Sequence, residues 1–227
     1  MCERPHGPPP GMLRPMTLRG SRRPTLAIVS GRPGSGKTTL ARELAQAVSC
    51  PLISRDEINE GIFHTFDHDL KLASKDDVAK VAFDAFFKVI ELLVASRVTL
   101  VAEAAFQDHR WRIGLEPLLA MADMRIIHCT IDPELAHQRI ARRRFEQQGT
   151  PRAKRTTTRA PDIEMRRASD HPFEPLSLPV TSLHVATTDS YDPGLDEIVA
   201  FITVPMHRST EAASAPAHPQ PLPGIRG

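Results

Sequence analysis

The sequence predicts an α/β protein built on a parallel sheet with helices on both faces. Three observations carry that expectation. Short apolar runs alternate with helical patterns along the chain, the order that parallel crossover units require. The first run, Leu26-Ala-Ile-Val29, is continuously apolar, as a strand buried on both faces should be. A glycine-rich segment follows it at once: Gly31, Arg32, Pro33, Gly34, Ser35, Gly36, Lys37 and Thr38. It leads through Thr39 into Leu40, Ala41, Leu44, Ala45 and Val48, which recur at helical spacing.

That segment fits G-x-x-x-x-G-K-[ST] and lies between a strand and a helix, the context the motif needs. Glycine tolerates backbone conformations that other residues avoid, so successive N–H groups can converge on one anion. The helix that begins there adds unpaired N–H groups and a favourable dipole. The expectation is therefore a P-loop whose residues 31–39 cradle the phosphates of a nucleotide such as ATP. Lys37 would reach the β- and γ-phosphates, and the Thr38 hydroxyl would ligate Mg²⁺.

The remaining elements follow in order. Residues 50–54, "CPLIS", read as a short second strand, and "RDEINEGIF" as a turn into a helix over about 57–62. Residues 64–75 carry no regular pattern. Val78, Val81, Ala82, Ala85, Phe86, Val89, Leu92 and Leu93 then mark an amphipathic helix from Asp76 to about Ala95. "RVTLVAE", 97–103, is the third strand, and "HRWRIGLEPLLAMA", 109–122, the next helix. "MRIIHCTI", 124–131, is the fourth strand, after which Pro133 opens a helix to about Gln148. "TSLHVAT", 181–187, is the fifth. Asp192 as N-cap with Pro193 at the first helical position would open a last helix over 193–202.

The 227 residues allow one generous domain, and composition places it at about 24–204. Residues 1–23 hold five arginines against one glutamate, and 205–227 are rich in Pro and Ala, so both ends read as disordered tails. No stretch approaches a membrane span. Cys2, Cys50 and Cys129 are scattered, which fits a reduced cytoplasmic setting without a disulfide frame or zinc site. The net charge of +2 says little about partners.

In an open parallel sheet the ligand lies beyond the carboxyl ends of the strands. Asp56, just past the second strand, could take the proton of an attacking hydroxyl, or cap the helix that follows. Arg55 beside it either binds an anionic group or is solvated. Glu103 ends the third strand, where an acid holds a Mg²⁺-bound water; Asp is usual there, and the longer arm equally suits a base. From Arg139 to Arg167 ten basic residues face three acids, a net +7. This segment reads as a lid closing on the triphosphate, with Arg139 and Arg143 one turn apart, or as a nucleic-acid patch. The absence of aromatic residues between Gln147 and His171 disfavours the second. His64 and His68, without a third ligand, are weak evidence for a metal.

In sequence order, "SGRPGSGKTTLARELA", "PLISRDEI", "LVAEAAF…HR", "IIHCTIDPELAHQRIARR" and "TTDSYDPGLDEIVAFI" resemble the small bacterial P-loop kinases often labelled AAA-family ATPases. These are similar to the kinase domain of polynucleotide 5′-hydroxyl kinase and, more distantly, to zeta-toxin and adenylylsulfate kinases. The resemblance implies a three-layer sandwich whose five parallel strands run 2-3-1-4-5, with a basic lid at about 144–170. It implies Asp56 as the base, Arg139 and Arg143 as lid arginines, and Thr188 and Asp189 in the loop bordering the nucleotide base. Glu103 in place of Asp and Ala104-Ala105-Phe106 in place of "ATN" depart from the pattern. The function implied is an ATP- and Mg²⁺-dependent kinase acting on an unidentified hydroxyl-bearing acceptor, small molecule or nucleic acid 5′-end, the nucleic acid not favoured. A nucleotide-dependent switch ATPase that binds a protein partner is the alternative.

Overall fold

The computed structural model describes residues 22–66, 75–146 and 173–204. Five strands form one sheet: β1 (Thr25–Gly31), β2 (Leu52–Ser54), β3 (Leu100–Glu103), β4 (Asp123–Thr130) and β5 (Ser182–Ala186). Their order is β2-β3-β1-β4-β5 and every pairing is parallel, as expected. The helices are α1 (Lys37–Val48), α2 (Arg55–Phe66), α3 (Lys75–Ala95), α4 (Asp108–Leu115), α5 (Pro133–Glu146) and α6 (Leu195–Thr203).

Side chains alternate across a strand, so each central strand feeds two cores. Leu26, Ile28, Leu100, Ala102 and Ile126 point to one face, where Phe86, Ile90 and Val94 of α3 and Trp111 and Leu115 of α4 cover them. Ala27, Val29, Val101, Ile127 and Val185 point to the other, beneath Leu40 and Leu44 of α1 and Ile198 and Ile202 of α6. Each fully buried Leu, Ile or Phe contributes about 1.5–3 kcal/mol, which is what holds the three layers together. The β1 pairings place Val29 beside Glu103 and Gly31 beside Cys129, so the glycine loop leaves the sheet between the ends of β3 and β4.

Several expected boundaries need correction. The helix over 109–122 is interrupted: α4 ends at Leu115 and a 3₁₀ turn runs over Glu116–Ala120, because Pro117 has no N–H to continue an α-helix. The third strand begins at Leu100 rather than Arg97, since Arg97 (φ 64°) and Val98 still bond back to α3 through Val94 and Leu93. Helix α2 starts at Arg55 and reaches Phe66, so Asp56 is an acid of its first turn and not its cap, and residues 64–66 are helical. The last helix is capped by Gly194 rather than Asp192. Asp192 exchanges both backbone hydrogen bonds with Ala186, at 2.8 and 3.1 Å, and this bridge holds it extended.

The expected lid falls largely outside the described residues, as do the tails except Arg22 and Arg23. Those two guanidiniums donate to the Thr203 and Leu119 carbonyls. His68 also lies outside them, and His64 pairs with Glu60 at 3.7 Å. Among the described residues no helix is long and apolar enough to cross a membrane, and no group of three or more His, Cys, Asp or Glu is placed to hold a metal.

Candidate nucleotide site

The loop between β1 and α1 has the conformation its glycines allow. Gly34 and Gly36 take φ of 84° and 77°, a left-handed region costly for any other residue. A Cβ on Gly34 would lie 2.5 Å from the Ala136 carbonyl oxygen of α5, and one on Gly31 would lie 2.5 Å from Ser35 Oγ. The loop closes through Ser35 N–H donating to the Arg32 carbonyl at 3.1 Å, and Gly36 hands over to α1 as its N-cap. Ser35 is fully buried, and its hydroxyl has no hydrogen-bond partner among the described residues.

A buried carboxylate lies beside the start of that helix. Glu103 ends β3 at 1% exposure. The Thr38 hydroxyl donates to its Oε1 at 3.2 Å, and Lys37 Nζ is 3.7 Å from the same oxygen. The Ser54 hydroxyl donates to the other oxygen, Oε2, at 2.9 Å. Strand pairing explains the meeting, for Ser54 of β2 and Val29 of β1 flank Glu103 in register. Lys37 is itself only 8% exposed, so a buried ammonium, a buried carboxylate and two hydroxyls share one pocket.

This donor set fits Mg²⁺, which takes hard oxygen ligands from one or two carboxylates and from phosphates. The Thr38 hydroxyl and Glu103 are the residues that would hold it. The structure thus brings together Lys37, Thr38 and Glu103, three of the residues picked out in the sequence. It adds Ser54, to which the sequence assigns no role; its signal is its place at the end of the strand next to Glu103.

Asp56 lies two residues past Ser54, with its side chain 64% exposed and Oδ1 3.4 Å from Arg55 Nη1. Arg55 is 17% exposed, and its Nε has no hydrogen-bond partner among the described residues. Arg139 of α5 is engaged across the site: its guanidinium donates to the Thr187 carbonyl at 3.0 Å and to the Thr188 carbonyl. Its Nη1 lies 3.7 Å from where a Cβ on Gly36 would sit, so this arginine fixes the loop after β5 against the glycine loop. Thr187 strengthens that junction, its hydroxyl 2.6 Å from the Ser35 carbonyl oxygen and its N–H donating to Thr130 at 3.0 Å. Arg143, one turn on, is exposed and makes no ion pair with a described residue.

Two further groups border the site. Burial pushes the Cys129 thiol up to about 12, with Lys37 pulling the other way and Glu103 reinforcing the shift, so it stays protonated under the glycine loop. On the opposite face of the sheet His128 stacks on His184, ring centroids 4.9 Å apart. Burial and the neighbouring ring hold the His128 pKa below its ordinary value.

A glycine nest opening a helix, a buried lysine and an acid at the end of the adjacent strand define a P-loop nucleotide-binding protein of the kinase-like fold. The chain belongs to the AAA domain family, whose profile matches residues 26–162. No curated protein matches it significantly. Among solved structures it is similar to a candidate kinase from Chloroflexus aurantiacus j-10-fl, 25% identical with a TM-score of 0.63, over 80% of this chain and 97% of that one. A sugar kinase from Janibacter sp. HTCC2649 is 15% identical with a TM-score of 0.50, over 80% and 94%. A chain of the Pnkp1/Rnl/Hen1 RNA repair complex is 17% identical with a TM-score of 0.48, over 70% and 50%. The family match and the likeness to the Chloroflexus candidate kinase agree with the resemblance of the sequence motifs to small P-loop kinases.

Proposed function

We propose that the protein is an ATP- and Mg²⁺-dependent kinase that moves the γ-phosphoryl group to the hydroxyl of an acceptor. The convergence of Lys37, Thr38 and Ser54 on the buried Glu103 carboxylate carries this reading. The backbone N–H groups of 31–39, Pro33 excepted, bind the phosphates, and Lys37 neutralises charge on the β- and γ-groups. Thr38 and Glu103 would hold magnesium, which would supply neutralisation of the phosphate charge. Asp56 accepts the acceptor's hydroxyl proton as the new O–Pγ bond forms and the bond from Pγ to the β-phosphate oxygen breaks, releasing ADP. Arg143, in the last turn of α5, closes over the transferring group, while Arg139 orders the loop of Thr187, Thr188 and Asp189 beside the nucleotide base.

A nucleotide-dependent switch that hydrolyses ATP and binds a protein partner is the second reading, favoured by the 64% exposure of Asp56 and its pairing with Arg55. Transfer from γ-labelled ATP separates the two, with a 5′-hydroxyl oligonucleotide and a small-molecule extract fraction as acceptors and Asp56→Asn in parallel. A kinase labels one acceptor class and loses at least about 100-fold of that transfer in Asp56→Asn, with nucleotide affinity kept. Release of free phosphate alone, equal in both proteins, overturns the kinase reading.

A further inference from the structure

We infer that Ser54 is a positioning residue for the magnesium that accompanies the nucleotide, acting through Glu103 on the Thr38 hydroxyl. The inference rests on the nucleotide–magnesium reading above and assigns this chain's way of presenting the metal. Three observations lead to it. Ser54 is 3% exposed and its hydroxyl donates to Glu103 Oε2 at 2.9 Å. The other oxygen, Oε1, accepts from Thr38 at 3.2 Å. The three residues stand on three successive parts of the fold, the end of β2, the end of β3 and the start of α1, so the chain of hydrogen bonds crosses the site from its edge to its centre.

Proton bookkeeping gives the chain its direction. A hydroxyl has one proton and two lone pairs. Ser54 spends its proton on Oε2, which fixes the rotation of the carboxylate and turns Oε1 toward Thr38. Thr38 spends its own proton on Oε1, which leaves its two lone pairs free for a cation held jointly with Glu103. An ordinary Asp at position 103 has a shorter arm and fewer rotations to restrain. The longer Glu103 has an additional torsion, and Ser54 is the group that restrains it. With Glu103 as one of the residues that would hold the metal, Ser54 is one step removed from it, and partners of this kind change the metal affinity by about 10- to 100-fold when lost.

The test is titration of a fluorescent ATP analogue with the full chain, first in EDTA and then with increasing Mg²⁺, for wild type, Ser54→Ala and Ser54→Thr. The expected result is metal-free nucleotide affinity within about twofold for all three, and a Mg²⁺ midpoint raised about tenfold in Ser54→Ala. Ser54→Thr, which retains the hydroxyl, restores the wild-type midpoint. Ser54→Cys fills the same space with a weak donor and carries the same test if the alanine variant does not fold. An unchanged Mg²⁺ midpoint overturns the inference, as does an equal loss of metal-free binding, the mark of a merely structural serine. Wild-type protein that binds no nucleotide refutes the kinase reading as well, whereas normal wild-type binding with an unaltered variant refutes the role of Ser54 alone.

Discussion

Replacing Glu103 by Gln keeps the shape of the side chain and an oxygen for the Ser54 hydroxyl, but removes the charge that faces Lys37. At 3.7 Å, with the effective dielectric of about 20 that suits such pairs, the Coulomb attraction removed is about 4 kcal/mol. Part of it is offset in the wild type by the desolvation of both groups, yet breaking a buried pair from one side costs about 3–5 kcal/mol, because the surviving charge stays buried. The Lys37 side chain retains 11% exposure, so the lower end applies. Glu103→Gln should therefore lose about 3 kcal/mol, or roughly 6–12 °C in melting temperature for a domain of this size. Lys37→Met combined with Glu103→Gln removes both charges and should recover most of that loss. Metal-free ATP supplies anionic phosphates to the orphaned ammonium, so it should raise the melting temperature of Glu103→Gln more than that of wild type. Thermal denaturation followed by circular dichroism, with and without ATP, reads all three. A single variant that melts within about 2 °C of wild type, or a double variant less stable than the single, refutes the pairing as the organising interaction of the pocket.

Three further outcomes follow from other parts of the fold. Gly34→Ala forces a Cβ to within 2.5 Å of the Ala136 carbonyl oxygen at φ 84°, so it should cost at least about 2 kcal/mol and weaken ATP binding more than tenfold by calorimetry. Gly61→Ala in α2, where the new Cβ meets nothing within 4 Å among the described residues beyond its own helix backbone, should instead stabilise by about 0.5–1 kcal/mol in urea denaturation. The His128 pKa is lower in the folded chain than in the unfolded one, so the unfolded state binds more protons as pH falls below about 6.5 and stability falls with it. His128→Phe should keep the stacking and flatten the slope of melting temperature between pH 7 and pH 5.5; an unchanged slope assigns it to other groups.

How much of this was legible in the chain depends on sequence distance. The P-loop reads directly because strand, nest and helix are covalent neighbours: Gly31 to Thr38 is one uninterrupted motif, and its geometry follows from glycine's freedom at Gly34 and Gly36. The strand order was open to the resemblance because the alternation of apolar runs and helices leaves few topologies. Boundaries failed where apolar spacing was followed past a proline, or where a backbone group had a partner the local pattern does not display. Pro117 broke a helix that apolar spacing alone would continue, and Asp192, a good cap by composition, was taken by a bridge to Ala186.

The same rule governs the site itself. Ser54 and Glu103 are 49 residues apart, and Thr187 meets Ser35 across 152. No spacing rule links a serine in "PLIS" to a glutamate in "LVAE"; only the register of β2 on β3 does, and register is a property of the assembled sheet. Arg139 illustrates the cost of reading charge without partners. Its place one turn before Arg143 suggests two equivalent cations, yet the fold gives one of them the carbonyls of Thr187 and Thr188 and leaves the other in solvent. Their roles therefore separate: removing Arg139 loosens the loop that flanks the glycine nest before any substrate arrives, whereas Arg143 is exposed and makes no ion pair with a described residue to be lost. A site of this kind is assembled from one local motif and several distant hydrogen bonds. The local motif sets what can bind, and the distant bonds set how the bound group is held.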